Sequence, residues 1–313
     1  MARARGANAV MAVAFEATYG TPPASGFHKL PFVSSGLGDE QNLIESDLLG
    51  LGREPLPPSR DVVNNEGDVV VPVDLRNFGY WLKLLFGAPT TTGIAPDYVH
   101  TFISGAPALP SMAIEIGLPE VPSYGMNVGA RANTMRIQMQ RSGLLNATMS
   151  LIAQGETKGT STGAGTPAEA VIERFSQFMG EIKRDGMALG HVVSAELSYS
   201  NNLDKVEVIR PDGRIEDADP AMVTATGNIV VRFADTTLLD QAVSGAACEL
   251  SFGWQIDAEK SLTFTLHEVH LSRPKLPISG PGGIQATFAF QAVKDSVLNK
   301  TMTAVLMNDV AAY

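Results

Sequence analysis

Apolar and polar residues alternate along most of the chain in short segments that end at Gly, Pro, Asn or Asp. This period of two residues is typical of antiparallel strands joined by turns, because successive side chains of a strand point to opposite faces. In residues 134–140, for example, Met135, Ile137 and Met139 share one face and the intervening polar side chains share the other. The clearest predicted strands are residues 111–118, 134–140, 261–267 and 284–290.

Two segments depart from this alternation. Residues 77–87 and 236–245 carry apolar residues at helical spacing and stop at Gly87 and Gly245, and glycine is a common residue at the end of a helix. A third segment, 168–178, is ambiguous: it follows Pro167 as a helix would, yet residues 178–186 also read as a strand entering a turn. The pattern predicts a mainly β fold with one helix in each half.

A low-complexity segment lies in the middle of the chain. Residues 158–167 read KGTSTGAGTP, a composition typical of a flexible linker or loop. Placing the boundary there predicts an N-terminal arm (1–25), a first repeat (26–158), a linker (159–170) and a second repeat (171–313).

Short sequence matches between the halves support an internal duplication. Residues 33–43 match 193–203, and 67–71 match 227–231, both at an offset of 160. Residues 145–149 match 298–302 at an offset of 153. The smaller offset predicts about seven extra residues in the first half, which we assign to the loop 90–96. The alternative is chance similarity between two β-rich halves.

Composition narrows the possible functions. Lys and Arg total 23 against 33 for Asp and Glu, a net charge of −10, which argues against binding nucleic acid by phosphate neutralisation. Only 18% of residues are charged and 44% are hydrophobic, so surface is available for interfaces. The first apolar run, 10–15, is too short for a secretory signal, and no run approaches the roughly 20 apolar residues of a membrane helix. We therefore expect the chain to remain in the cytoplasm in which it is made.

Candidate catalytic or metal-binding residues fail on their context. Ser161 fits the spelling G-x-S-x-G but lies in the linker, not between a strand and a helix. His267 and His270 lack the H-E-x-x-H spacing and would point to opposite faces of a strand. The single cysteine, Cys248, reads as a core residue. We predict no enzymatic activity, no cofactor and no metal site.

Several short sequence motifs occur in a characteristic order between residues 15 and 156. They are FEATYGTP (15–22), LIESD (43–47), GDVVVPVDL (67–75), GYWLKLLFGAP (79–89), YVHTF (98–102), LPS (109–111) with Glu115, and GLLNAT (143–148). In this order they resemble the tail tube, or major tail, proteins of siphophages and prophages. The second half matches less literally, so its assignment depends on the internal repeat.

The resemblance implies two tandem tail-tube-type β-sandwich or barrel domains, each with one flanking helix. Such proteins form stacked rings in which one sheet of each copy lines a channel that conducts DNA. Two domains per chain predict a homotrimeric ring in preference to a hexamer. The implied partners are further copies of the chain, the tape-measure protein, the tail terminator and baseplate proteins. The implied location is the virion tail, assembled in the bacterial host cytoplasm without a membrane.

An acidic channel would repel phosphates and let DNA pass without specific binding. The candidate lumen-facing residues are Glu115, Gln138 and Glu268. The candidate ring-stacking loops are 87–100, 158–167 and 202–219, which are also the usual places for surface variation.

Two other classes stay open. One is a different ring component of the tail, such as a terminator or baseplate hub, which would not polymerise. The other is a bacterial β-sandwich binding module, although that module needs exposed aromatic residues and the chain has only Trp81 and Trp254 as tryptophans. A hydrolase built around Ser161 ranks third.

Overall fold

The structure, a computed structural model, describes residues 3–278 and 280–313 and is mainly β. Within these residues the helices are α1 (Phe78–Phe86) and α2 (Thr237–Ser244), and two short 3-10 turns span Gly6–Asn8 and Gln177–Met179. The strands are β1 (Val10–Phe15), β2 (His28–Lys29), β3 (Ser34–Ser35), β4 (Asp39–Ile44), β5 (Ser59–Pro72), β6 (Thr90–Ile94), β7 (Asp97–Ile103), β8 (Met112–Leu118), β9 (Ser123–Met139), β10 (Asn146–Ala153), β11 (Gly155–Gly159), β12 (Ala168–Glu169), β13 (Gly180–Arg184), β14 (Met187–Ala188), β15 (Val192–Ser200), β16 (Asp204–Val206), β17 (Asp217–Asp219), β18 (Thr224–Arg232), β19 (Cys248–Gln255), β20 (Ser261–Leu271), β21 (Gln285–Val293) and β22 (Met302–Asn308).

Both predicted helices are confirmed, and they differ in burial. The helix α1 is apolar on nearly every side and buries Trp81, Leu82 and Leu85 at 0–1% exposure. The helix α2 buries only Leu238. The ambiguous segment 168–178 contains no α-helix. Its strand reading is the correct one, because β13 runs into a turn at 185–186.

One long sheet runs through both halves of the chain. Its order is β3 and β4, β5, β10, the second half of β9, β15, β18, β21 and the second half of β20. All these pairings are antiparallel. The junction between the halves is therefore an ordinary strand pair, β9 with β15, running from Thr134–Ser200 to Met139–Ala195.

The long strands β9 and β20 each leave this sheet and enter a second one. The first half of β9 pairs with β8 and β11, and β8 continues through β1 to β2. The first half of β20 pairs with β19 and β22, and β19 continues to β13. The main hydrophobic core lies between these sheets and the inner face of the long sheet, with α1 inserted in it.

The two halves share strand pairings residue by residue. Ser34 pairs with Val70 as Ser194 pairs with Val230, at the predicted offset of 160. A register shift follows Met112 in β8 and Cys248 in β19, at matching places in the two halves. Shared strand registers and bulges are stronger evidence for an internal duplication than short sequence matches, because each register fixes a three-dimensional contact.

A glycine explains one of the matching words. A side chain on Gly67 would collide with the backbone carbonyl of Gly36, and one on Gly227 would collide with that of Glu196. These two contacts are again 160 residues apart. The close approach of backbone at this point therefore requires glycine in both halves.

The match of residues 145–149 with 298–302 does not join corresponding strands, and the predicted insertion of about seven residues is too short. Residues 145–149 enter β10, whose counterpart by pairing is β21, whereas 298–302 lead into β22. Between β5 and β8 the offset falls from 160 to 136, so the first half has 24 more residues than the second. These residues include the whole hairpin β6–β7, which pairs with β22 of the other half.

The Gly- and Thr-rich segment 158–167 is a mostly exposed loop beyond β11 in which Ala164 is buried, and the chain that follows it returns to the first half. Beyond β11, the strand β12 lies parallel to β2. Further on, Phe175 is completely buried, and its N–H donates to the carbonyl of Val73.

Candidate functional site: the polar face and the open edges of the long sheet

The long sheet has one buried face and one polar face. In its central strands Met135, Ile137 and Leu197 point into the core. On the opposite face the register brings together four carboxylates and two guanidinium groups, namely Glu66, Asp68, Glu196, Glu268, Arg136 and Arg232. Glu40, opposite Asn64, and Arg131, opposite Ile152, lie on the same face, so the face carries charges of both signs.

Two of the three predicted lumen residues lie on this face. Gln138 is exposed, and its Nε2 donates to Oε2 of Glu196 at 3.4 Å. Nε of Arg136 lies 3.4 Å from Oε1 of the same glutamate. At the other end of the sheet, Oε1 of Glu268 lies 3.8 Å from Nε2 of His270. The alternation of the strands was sufficient to place both residues on one face.

Glu115 does not lie on this face. It belongs to β8 and is only 4% exposed. Its carboxylate accepts hydrogen bonds from Thr162 Oγ1 at 2.5 Å and from the N–H groups of Gly163 and Ala164 at 2.6 and 3.3 Å. The carboxylate thus holds the central loop against the sheet, and the side chain is not available at the surface of the chain.

The long sheet ends in two open edges in the described part of the chain. At one end, β3 and β4 pair with β5 on one side only. At the other end, residues 272–278 continue beyond β20 without a strand partner, although the N–H of Ser272 still donates to Ala289. Exposed backbone donors and acceptors at a sheet edge are sites for pairing with another chain.

The connection from β4 to β5 is an exposed arm that sequence analysis missed. Residues 45–58 have no regular structure, and Leu48, Leu49 and Leu51 are 66%, 95% and 62% exposed. The run Leu-Leu-Gly-Leu was visible in the sequence but has no period that indicates an exposed surface. Neighbouring leucines that remain in water indicate an interface.

A groove of about 570 Å³ lies between the end of β9 and strands β13 to β15, along the margin of the long sheet at which β5 also ends. Phe178 lines it and is 77% exposed. Arg141, Arg232 and Glu181 also line it, so basic groups outnumber acidic ones.

The three predicted stacking loops are largely used within the chain. Residues 87–100 contain most of the hairpin β6–β7, which pairs with β22. Residues 158–167 form the loop that donates hydrogen bonds to Glu115. Residues 202–219 include the hairpin β16–β17, whose Ile215 and Ala218 pack on Ile152 at one end of the polar face.

The candidates for chemistry remain apart. Ser161 lies in an exposed loop. His267 Nε2 contacts Thr303 Oγ1 at 2.8 Å, whereas His270 Nδ1 faces the carbonyl of Gly245 at 3.3 Å. Within residues 3–278 and 280–313, no group of three or more His, Cys, Asp or Glu side chains is placed to hold a metal ion. Burial raises the pKa of Cys248 to about 11, which keeps its thiol protonated.

The chain matches a known protein family. A family profile described as phage tail tube protein matches residues 6–292, nearly the whole chain. A search of curated proteins gave no significant match. Neither helix of the described chain has the length and apolar character needed to cross a bilayer.

Proposed function

Because the chain belongs to the phage tail tube protein family, we propose that it forms rings that stack into the hollow tail tube of a siphophage and conduct DNA from capsid to host. The observation that carries this proposal is the long sheet, which has a core on one face, a polar face with charged side chains and an open edge at each end. A sheet of this kind can be extended by further copies into a closed cylinder.

The junction inside the chain is the template for closing the ring. The strand pair β9–β15 joins two units with matching strand pairings, which we take as tail tube domains within residues 26–158 and 171–313. If each junction between chains repeats this geometry, three chains supply six units around the axis. We therefore propose a homotrimeric ring with pseudo-sixfold symmetry.

The polar face then lines the channel. Gln138 and Glu268 lie on it with the carboxylates of Glu66, Asp68 and Glu196, and carboxylates in a narrow channel repel the phosphate backbone. DNA would pass without specific binding. No cofactor or catalytic step is part of this function.

Stacking of rings would use the exposed arm. The arm precedes the start of β5, and the basic groove lies along the margin of the long sheet at which β5 ends, so copies that stack head to tail bring the arm of one ring towards the groove of the next. Residues 45–58 contain Glu45, Asp47 and Glu54 against Arg53, an acidic excess that complements the groove. The occupant of the groove is therefore a second copy of this chain.

The remaining partners follow from this role. The tape-measure protein would occupy the channel during assembly, and a tail terminator and baseplate proteins would cover the ends of the tube. The mature location is the virion tail, after assembly in the host cytoplasm.

Electron microscopy of the purified protein tests the proposal. Hollow tubes in negative stain, with three chains in the smallest ring by mass measurement, are the expected result. Single rings that never stack would favour a terminator or baseplate hub. Six chains per ring would refute the use of the internal junction, and a persistent monomer would refute the tube.

A single substitution tests the stacking arm. Leu49→Ser changes a side chain that is 95% exposed, so the stability of the ring should not change. Tubes should shorten to single rings in negative stain. Val297→Ser, at a site 84% exposed between β21 and β22, is the matched control and should leave tube length unchanged. Tubes of normal length from Leu49→Ser would refute the role of the arm.

A further inference from the structure

Residues 273–278 and 35–40 lie at the two open edges of the long sheet. They correspond to the two strands, β9 and β15, that pair at the internal junction. We propose that residues 273–278 of one chain pair antiparallel with residues 35–40 of the next, so that Leu276 lies opposite Leu37 and Arg273 opposite Glu40. The inference rests on the proposed function, because it specifies the contact that would close the ring.

The register follows from two offsets. In the first half Ile152 pairs with Arg131, and in the second half Gln291 pairs with His270, so β9 corresponds to β20 and its continuation at an offset of 139. Ile137 then corresponds to Leu276. The strand β15 corresponds to β3 and β4 at an offset of 160, so Leu197 corresponds to Leu37.

The pairs inside the chain define the pairs between chains. Ile137 lies opposite Leu197, and Thr134 lies opposite Ser200. Transferring both pairs by their offsets places Leu276 opposite Leu37 and Arg273 opposite Glu40. One pair is apolar and the other joins opposite charges, so each suits the face on which it falls.

Residues 273–277 already alternate as a strand would, although no strand lies on their outer side. Arg273, Lys275 and Pro277 are exposed, whereas Pro274 and Leu276 are half-buried. Their counterparts in β9 alternate in the same phase, with Met135 and Ile137 buried. The segment is therefore positioned for a partner strand.

The apolar side chains at both edges have incomplete contacts. Leu37 and Leu276 are both partly buried and pack against the main core. Their counterparts Leu197 and Ile137 are 2% and 1% exposed, because the strand pair covers them. A neighbouring chain would provide the same cover.

Disulfide cross-linking tests this register. The variant carries Leu37→Cys and Leu276→Cys with Cys248→Ala, so that each edge has one thiol. Directly opposed residues in an antiparallel pair have Cα atoms about 4.5–5.5 Å apart, within the range that a disulfide spans. Oxidised assemblies should yield dimers and trimers on a non-reducing gel, and no larger species if the ring holds three chains.

A matched variant shifts one thiol by a single residue. Leu37→Cys with Lys275→Cys, in the same background, places the two thiols on opposite faces of the sheet and should give no cross-link. Tubes that form normally but cross-link through Lys275→Cys, or through neither pair, would overturn the register and leave the tube function standing. Failure of the unmodified protein to assemble at all would overturn both.

A charge exchange tests the second pair without cysteines. Arg273→Glu would face Glu40 and should raise the protein concentration for half-maximal assembly at least about tenfold. Adding Glu40→Arg should restore it. If the double variant assembles no better than Arg273→Glu alone, the two residues do not meet and the inference fails.

Discussion

Replacing Leu197 with Ala should destabilise the isolated chain, whereas the same change at Leu37 should chiefly weaken contacts between chains. Leu197 is 2% exposed and lies opposite Ile137 in the junction of the two halves. Loss of a buried leucine side chain removes its hydrophobic contribution and leaves a cavity, together about 2–5 kcal/mol. We expect about 3 kcal/mol for Leu197→Ala.

Leu37 occupies the matching position but is only partly buried. We expect Leu37→Ala to cost the isolated chain about 1 kcal/mol, because fewer contacts are lost. A further loss of about 2 kcal/mol should appear on assembly, which corresponds to about 30-fold weaker association at each junction between chains.

Urea unfolding at low protein concentration measures the first effect. Trp81 in α1 and Trp254 in β19 are each 1% exposed, so their fluorescence reports on both halves. Sedimentation against protein concentration measures the second effect. Leu298→Ala, at a site 49% exposed, is the control and should change the free energy of unfolding by less than about 0.5 kcal/mol.

Either of two results would refute the reasoning. If Leu37→Ala costs the isolated chain as much as Leu197→Ala, Leu37 is already a complete core residue and lacks no partner. If assembly of Leu37→Ala needs no more protein than the wild type, its side chain does not lie at the junction between chains.

Three further predictions concern single sites. Glu115→Ala should leave the loop donors without an acceptor, cost about 1–3 kcal/mol, and speed cleavage of the loop in limited proteolysis, whereas unchanged cleavage would contradict its role as a clasp. Gln138→Lys with Glu268→Lys should make tubes retain DNA in low-salt co-sedimentation and release it as salt rises, while Glu259→Lys, on an exposed turn, is the control. Cys248, whose pKa burial raises to about 11, should resist maleimide at pH 8 in the folded protein and react fully in urea, and rapid labelling of the folded protein would contradict its burial.

Local pattern predicted the strands and helices well because their signals are local. The apolar positions of β9 and of α1 follow from spacing within a few residues, and no distant contact changes them. The offset of 160 could also be predicted from the sequence, since a close backbone approach requires glycine at both Gly67 and Gly227. Words such as Leu-Asn-x-Thr-Met, in contrast, fit any half-buried strand, so the match at 153 carried no information about topology.

The candidate surfaces show the same division. Gln138 and Glu268 were placed on the polar face because alternation along a strand decides the face. Glu115 follows the same alternation, but a loop 47 and more residues further along the chain covers it, and no local signal predicts that contact. The arm around Leu49 was missed for a related reason, because exposure of an apolar run depends on what the fold leaves uncovered.

The internal junction between β9 and β15 and the proposed junction between chains would differ in strength, and this difference bears on which partners the open edge accepts. Asn201 donates its N–H to the carbonyl of Asn133, so the backbone groups of Met135 also face β15, since they alternate along a strand. Its counterpart at the open edge is Pro274, which has no N–H to donate. The junction between chains therefore lacks a hydrogen bond that the internal junction can form. A proline and flanking cations at an exposed edge also hinder indiscriminate strand pairing. Within each chain the polypeptide itself holds the two halves together at the internal junction. The weaker open edge, in contrast, would favour partners whose side chains also match its own.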